Sequence, residues 1–202
     1  MFETIKLENR QLHNLWYHSR RMQQSQHDLL GMSENVDLEQ LIAIPDWVGE
    51  GIYRCRLSYR NEIEKIDYFP YAFKHPKLIE LVEDKAITYP YKYEDRQVFS
   101  NLLLQYPLVD EVIVMHDGYL TDASFANLAF YDGNQWFTPL TFLLRGTKRQ
   151  YLIDNHQLIE ASICINDLKD FRKIALINAM RGLDLAYDFS INQNQIVIHE
   201  AY

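Results

Sequence analysis

Four short segments hold residue types that could do chemistry together. In Tyr89-Pro90-Tyr91-Lys92-Tyr93-Glu94-Asp95-Arg96 a lysine lies among aromatic neighbours. A lysine partly desolvated by aromatics can act as an amine nucleophile. On spacing alone, Lys92 reads more readily as a surface lysine lying over tyrosines. In Gly118-Tyr119-Leu120-Thr121-Asp122-Ala123-Ser124-Phe125-Ala126-Asn127 a carboxylate sits at a strand end, though Asp, Ser and Asn are also ordinary turn residues. Leu143-Leu144-Arg145-Gly146-Thr147-Lys148-Arg149 offers a glycine and a hydroxyl at a helix start with cations beside them, which suits a phosphate or merely begins a helix. Ile177-Asn178-Ala179-Met180-Arg181-Gly182 reads as a strand entering a turn. A nucleophilic lysine, a carboxylate and a phosphate-ready helix start are together what pyridoxal phosphate requires: an imine to the aldehyde, a partner for the ring nitrogen and an anchor for the phosphate. No metal is needed for this chemistry.

The elements that must hold these residues change rhythm along the chain. Leu12, Leu15, Trp16, Ser19, Met22 and Leu29 recur at helical spacing, which predicts an amphipathic helix over 11–30 with Arg20, Gln23 and Gln24 on its other face. Asp37 and Gln40 have capping-box spacing, so a second helix begins there and stops before Pro45. Tyr53, Cys55, Leu57 and Tyr59 alternate with Arg54, Arg56, Ser58 and Arg60, which predicts a half-buried strand turning at Asn61-Glu62 into a second strand over 63–69. A strand over 77–82 closes this half. The polar, proline-containing stretch 83–91 reads as a crossover.

Beyond it, the pattern predicts a helix over 94–105, a strand covered on both faces over 109–115, an Asp117-Gly118 hairpin into 119–121, and a strand over 125–131 ended by Asp132-Gly133. A helix over 147–155, a short helix over 167–171 and strands near 158–163, 174–178 and 195–199 follow. The mixture predicts an α+β or mixed α/β fold in two small domains, an N-terminal α+β part over 1–85 and a barrel-like part over 86–202.

Composition narrows the function classes. The 202 residues are 48% apolar and 24% charged, enough to bury a substantial core. Lys and Arg number 20 against 28 Asp and Glu, and a net charge of -8 argues against a nucleic acid or an anionic membrane as partner. The 7 glycines include neither GxGxxG nor GxxxxGK[ST]. The first ten residues hold no apolar signal core, and no run of about 18 apolar residues occurs, so a cytoplasmic protein without a membrane span is expected. Cys55 and Cys164 lie far apart and read as free thiols, too few to frame a metal site.

The motifs resemble those of the fold-type IV pyridoxal-phosphate enzymes, the class IV aminotransferases, from Phe2 to about Gln195. Phe2-Glu3-Thr4-Ile5 is similar to the family's early FET strand, and His18, Arg21, Met22 and Ser25 resemble its H-x-x-R-L/M-x-x-S helix. Lys92 stands where the family has its imine lysine, and Lys92, Asp95 and Arg96 are similar to the K-x-x-N-R of the lyase branch, with Asp for Asn. Asp122-Ala123-Ser124-Phe125-Ala126-Asn127-Leu128 resembles E-G-S-x-x-N-[LIV], 30 residues after the lysine. Phe137-Thr138-Pro139 with Leu144-Arg145-Gly146-Thr147-Lys148-Arg149 is similar to T-P…L-x-G-x-T/K-R, and Asn178-Ala179-Met180 to N-A-L.

The resemblance implies a D-amino-acid-aminotransferase-like fold, a homodimer and pyridoxal 5'-phosphate as cofactor. Lys92 would be catalytic. Arg21, Thr147, Lys148, Asn178 and Ala179 would bind the phosphate, and Asp122, in a segment with Asn127, would meet the ring nitrogen. Two departures stand out: the chain is shorter than usual for the family, and Asp122 is one methylene shorter than the family's Glu. The lyase-like motifs favour a β-elimination that yields 4-aminobenzoate and pyruvate from aminodeoxychorismate. Transamination of a branched-chain or D-amino acid is the enzymatic alternative, and a non-catalytic remnant that binds the cofactor or another phosphorylated ligand is a third reading.

Overall fold

Residues 1–199 are described by the structure, a computed structural model, and they form two compact units. The first comprises Met1–Phe73 with Tyr91–Glu94; the second comprises Lys74–Pro90 with the chain from Asp95 onward.

The first unit is an antiparallel sheet with helices against it. Its elements are β1 (Phe2–Glu8), β2 (Gln11–Leu12), α1 (Leu15–Leu30), α2 (Leu38–Leu41), β3 (Ile52–Tyr59) and β4 (Ile63–Pro70), and the strand order is β2-β1-β3-β4. The alternation in β3 behaves as expected: Cys55, Leu57 and Tyr59 are buried with Ile5, Leu7, Met22, Leu38 and Val48. The expected start of α1 at residue 11 is corrected to Leu15, because Gln11 and Leu12 pair back onto Glu8 and Leu7. Gly31, with a positive φ of 69°, closes that helix. Asp37 caps the single turn α2 by accepting the Glu39 N–H at 3.0 Å.

The buried face of α1 is unexpected. Trp16 and Leu29 are 57% and 41% exposed, while His18, Met22, Ser25 and Gln26 are buried. The polar members of that stripe have hydrogen-bond partners, so the helix buries them without the cost of unpaired groups: Gln26 donates to the Arg60 and Asn61 carbonyls, Ser25 to that of Arg21, and His18 bonds Glu3.

The second unit contains β5 (Leu78–Glu83), α3 (Gln97–Gln105), β6 (Glu111–His116), β7 (Tyr119–Ala123), β8 (Ala126–Tyr131), β9 (Trp136–Pro139), α4 (Thr147–Asp154), β10 (Ile159–Ala161), β11 (Lys173–Ile177), β12 (Ala186–Asn192) and β13 (Gln195–His199). The strand order β8-β11-β12-β13-β5-β6-β7 returns from β7 to β8, so seven strands close into a ring, with β9 and β10 extending from β8. This is the mixed barrel that the sequence predicts. Its core is built from Ile79, Ile113, Leu120, Leu128, Phe130, Ile174, Leu176 and Ile196. Asp117 and Gly118 both have positive φ, 55° and 79°, and form the two-residue hairpin between β6 and β7. No strand is expected over β12, although Tyr187, Phe189 and Ile191 alternate there with Asp188, Ser190 and Asn192.

Two corrections concern function. The expected domain boundary near residue 85 moves back to Phe73, because β5 pairs with β13 and β6 in the second sheet. The chain also returns briefly to the first unit at Tyr91–Glu94. The second sheet has two parallel pairs, β5–β6 and β9–β10, and parallel neighbours demand long crossovers. The first crossover carries Lys92; the second carries Leu143 to Lys148. Connections forced by topology therefore hold Lys92, Thr147 and Lys148, while Arg21, Asp122 and Asn127 lie on regular elements. No helix among the described residues is long and apolar enough to cross a membrane.

Candidate active site

Within the first unit, Glu3 on β1 is fully buried and faces α1. Its Oε1 accepts the Arg21 Nε–H at 2.9 Å, and its Oε2 accepts from Arg21 Nη2 and bonds His18 Nδ1 at 2.6 Å. An ionised carboxylate only accepts, so His18 carries its proton on Nδ1. Burial pushes the Glu3 carboxyl up, but the Arg21 guanidinium and the His18 hydrogen bond overcome it and hold the group at about 2. Burial also pulls the His18 imidazole below its ordinary value, against its bond to Glu3, and the charges of Arg21 and Lys92 pull in the same direction as burial. Glu3 is thus an anion, Arg21 a cation and His18 neutral near pH 7.

Lys92 is half-buried in the same unit. Its carbonyl accepts the Phe2 N–H at 3.0 Å, and its Nζ lies 4.8 Å from the centroid of the Phe2 ring. An aromatic ring beneath the ammonium is thus that of Phe2, 87 to 91 positions away in sequence from Tyr89, Tyr91 and Tyr93; the Tyr91 hydroxyl donates to Asp28. Arg56 lies over the same Phe2 ring at 4.8 Å and bonds Glu94 at 3.0 Å. Consecutive residues of β1 therefore hold the two candidates of this unit, Phe2 for Lys92 and Glu3 for Arg21.

Asp122 and Asn127 face each other across the β7–β8 pair of the second unit. Asp122 Oδ1 accepts from Asn127 Nδ2 at 2.7 Å, while its Oδ2 accepts the N–H groups of Leu143 at 2.9 Å and Leu144 at 2.8 Å. Burial pushes the Asp122 carboxyl up to about 6, against these hydrogen bonds and the Arg149 charge. Asn127 Nδ2 also donates to the Leu144 carbonyl at 2.9 Å. A Cβ on Gly146 would lie 1.8 Å from Asn127 Oδ1, so close approach is what requires glycine before α4.

Thr147 and Lys148 form the first turn of α4, Thr147 buried and Lys148 with its Nζ 5.0 Å from the Tyr151 ring centroid. The turn at 178–182 adjoins this start: a Cβ on Gly182 would come 3.4 Å from Lys148 Cε. The Asn178 side chain shapes that turn, accepting the Met180 N–H at 2.9 Å and donating to the Phe125 carbonyl at 3.3 Å. Ala179 is half-buried at its crest.

The structure thus brings Arg21 and Lys92 together in one unit, and Asp122, Asn127, Thr147, Lys148, Asn178 and Ala179 together in the other. Glu3 and His18 fall in motifs visible in the sequence, yet nothing in their spacing signals a buried pair. Arg181 gave no signal at all. It is 1% exposed and donates to the Lys74 carbonyl and the Tyr187 hydroxyl, each at 2.6 Å.

Residues 105–183 match the sequence profile of amino-transferase class IV. A Haemophilus influenzae protein of uncharacterized function is 35% identical over 185 residues, 91% of this chain and 98% of its own length. A crystal structure from Haemophilus somnus 129pt, provisionally described as a 4-amino-4-deoxychorismate lyase, is 36% identical with a TM-score of 0.83, covering 91% of this chain and 97% of that one. This chain belongs to the class IV aminotransferase family. A Mesorhizobium loti structure provisionally described as an amino-acid aminotransferase shares the fold at 22% identity and a TM-score of 0.73, covering 90% of this chain and 95% of that one. The chain thus has the two-domain architecture of fold-type IV pyridoxal-phosphate enzymes.

Proposed function

We propose that this chain is a pyridoxal-phosphate enzyme that performs a β-elimination like that of 4-amino-4-deoxychorismate lyase, releasing pyruvate. The observation that carries the cofactor reading is Lys92, a half-buried amine whose motif resembles that of the family's covalent lysine and which is pinned through its own backbone to β1. The residues present fit the group. Thr147 and Lys148 open α4, where a helix start offers N–H groups and a cation to a phosphate, and Asp122 keeps a carboxylate out of water in the same unit. The 36% identity to the Haemophilus somnus protein supports the lyase reaction.

When bound, pyridoxal phosphate supplies an aldehyde for a covalent bond to an amine and a ring that accepts electrons from a breaking Cα bond. Lys92 Nζ would form that bond, then take the substrate Cα proton and pass a proton to the departing three-carbon group, which leaves as pyruvate. Arg21, with Nε and Nη2 fixed on Glu3, would direct the rest of its guanidinium to the phosphate. Thr147, Lys148, Asn178 and Ala179 would add backbone N–H groups and charge. The protein would act as a cytoplasmic homodimer, its mass readable by analytical ultracentrifugation.

The test is the absorption spectrum of protein loaded with pyridoxal phosphate before and after borohydride reduction, with peptide mapping of the modified lysine. Label on Lys92 and its absence from Lys92→Ala are expected; label elsewhere removes the assignment. Pyruvate release from aminodeoxychorismate without a keto acid supports the lyase, whereas keto-acid-dependent amino transfer replaces it with a transaminase.

A further inference from the structure

The family's glutamate is an aspartate in this chain, and the shorter carboxylate has other partners. An ionised carboxylate offers about four lone-pair directions. At Asp122 three are filled by protein donors, the N–H groups of Leu143 and Leu144 on Oδ2 and Asn127 Nδ2 on Oδ1. Asn127 is equally committed, since its Nδ2 donates both to Asp122 and to the Leu144 carbonyl. Its Oδ1 lies against Gly146, where a Cβ would fall 1.8 Å away. Both side chains project from paired strands in the wall of a closed barrel, a rigid mount. Leu140, Thr141 and Phe142, just before the segment they grip, are exposed, tied by the Leu140 N–H to the Ala161 carbonyl and by the Thr141 hydroxyl to the Leu120 carbonyl, and Leu143 is the first buried residue before Gly146 and Thr147.

We propose that Asp122 is a positioning residue: its carboxylate fastens Leu143 and Leu144 so that Gly146 and Thr147 present the start of α4 in one fixed form, and it acts on a bound phosphate ester through that backbone rather than by touching the ring. Asn127 completes the latch from the opposite strand. The inference rests on the cofactor reading above and changes one role within it. A carboxylate needed at the ring would serve better one methylene longer; a carboxylate needed at these two amides would be pushed past them by the same methylene.

The test uses the full-length protein, with pyridoxal phosphate and inorganic phosphate as separate probes and hydrogen exchange read at the Leu143 and Leu144 amides. In Asp122→Ala, and in Asp122→Asn, which preserves side-chain volume, both amides exchange at least about tenfold faster, and affinity for the two probes falls by a similar factor. Asp122→Glu behaves in the same way. If Asp122→Glu instead binds pyridoxal phosphate as tightly as wild type, or if only pyridoxal phosphate is lost while inorganic phosphate binds normally, the carboxylate is a direct ring contact and the latch is overturned. Wild type binding neither probe defeats the cofactor reading itself. Exchange then decides the latch, and unchanged Leu143 and Leu144 rates in Asp122→Asn overturn it.

Discussion

Two buried carboxylates show how differently one functional group behaves in different company. Glu3 is paired with a guanidinium and an imidazole, so its folded value of about 2 lies below the ordinary 4.5. Its stabilising contribution is fully present above about pH 4.5 and is lost as pH falls towards 2, a shift worth about 3 kcal/mol. Glu3→Gln is expected to lower stability at pH 7 by about 3 kcal/mol, because it leaves Arg21 facing a neutral partner in a buried site. Urea unfolding should show this deficit constant above pH 5 and shrinking below 4; a deficit independent of pH would remove the ion pair from the argument. Asp122 has the opposite sign. Its folded value of about 6 exceeds the ordinary 3.8, so its contribution is full below 3.8 and declines as pH rises through 6. Relative to Asp122→Asn, the ligand-free wild type should lose up to about 3 kcal/mol between pH 4 and 6.5. Parallel stability curves for the two proteins would show that the carboxyl titrates normally. A charge kept buried at this cost is consistent with a functional role rather than a stabilising one.

At the scale of elements, the connection from Asn127 to Gly146 and α4 can be tested by filling it. Gly146 has an ordinary φ of -69°, so an alanine there meets no conformational penalty, and its cost comes only from the Asn127 carboxamide at 1.8 Å. Gly146→Ala is expected to destabilise by about 2 kcal/mol, within the range for overpacking, and to weaken inorganic phosphate binding. Thermal unfolding and a phosphate titration check both; an unchanged melting temperature would mean that the start of α4 yields freely. The same elements show what the sequence made legible. Alternation in Ile52–Tyr59 and the Asp117-Gly118 turn are local signals, and strand and hairpin follow directly from them. The buried stripe of α1 is not local. His18 and Arg21 turn inward because Glu3, fifteen positions before His18, points at them from a sheet whose register no single segment encodes. Lys92 was legible as a candidate through its resemblance to a family motif, while the ring beneath it was not, since Phe2 reaches Lys92 only after β1 is placed. Asp122 was legible as a carboxylate in the right motif, but its grip on Leu143 and Leu144 depends on a crossover between β9 and β10 that spacing does not reveal.

For the whole molecule, the candidate residues fall into two sets that follow the two units, Arg21 and Lys92 in one, Asp122, Thr147, Lys148, Asn178 and Ala179 in the other. Glu3, His18 and Phe2 belong to the first set by their bonds, and Asn127 and Gly146 to the second. A ligand that uses both sets must stabilise both units, because any species that binds only the folded state adds RT ln(1 + [L]/Kd) to every unfolding that releases it. If, as proposed, Lys92 and Arg21 hold pyridoxal phosphate as well as the α4 start, the cofactor at about a hundred times its Kd should add roughly 2.7 kcal/mol of protection, about a hundredfold slower exchange, to the slowest amides of β1 and β3 and of β8 and β11 alike. Inorganic phosphate has no aldehyde for Lys92. If it is held by the α4 start and the Asn178 turn, it should slow exchange in the barrel strands and leave β1 and β3 nearly as they were. Hydrogen exchange read by mass spectrometry distinguishes the cases. Protection confined to the barrel with pyridoxal phosphate as well would leave Lys92 and Arg21 without a part in holding it, and would favour a phosphate-binding scaffold over an enzyme.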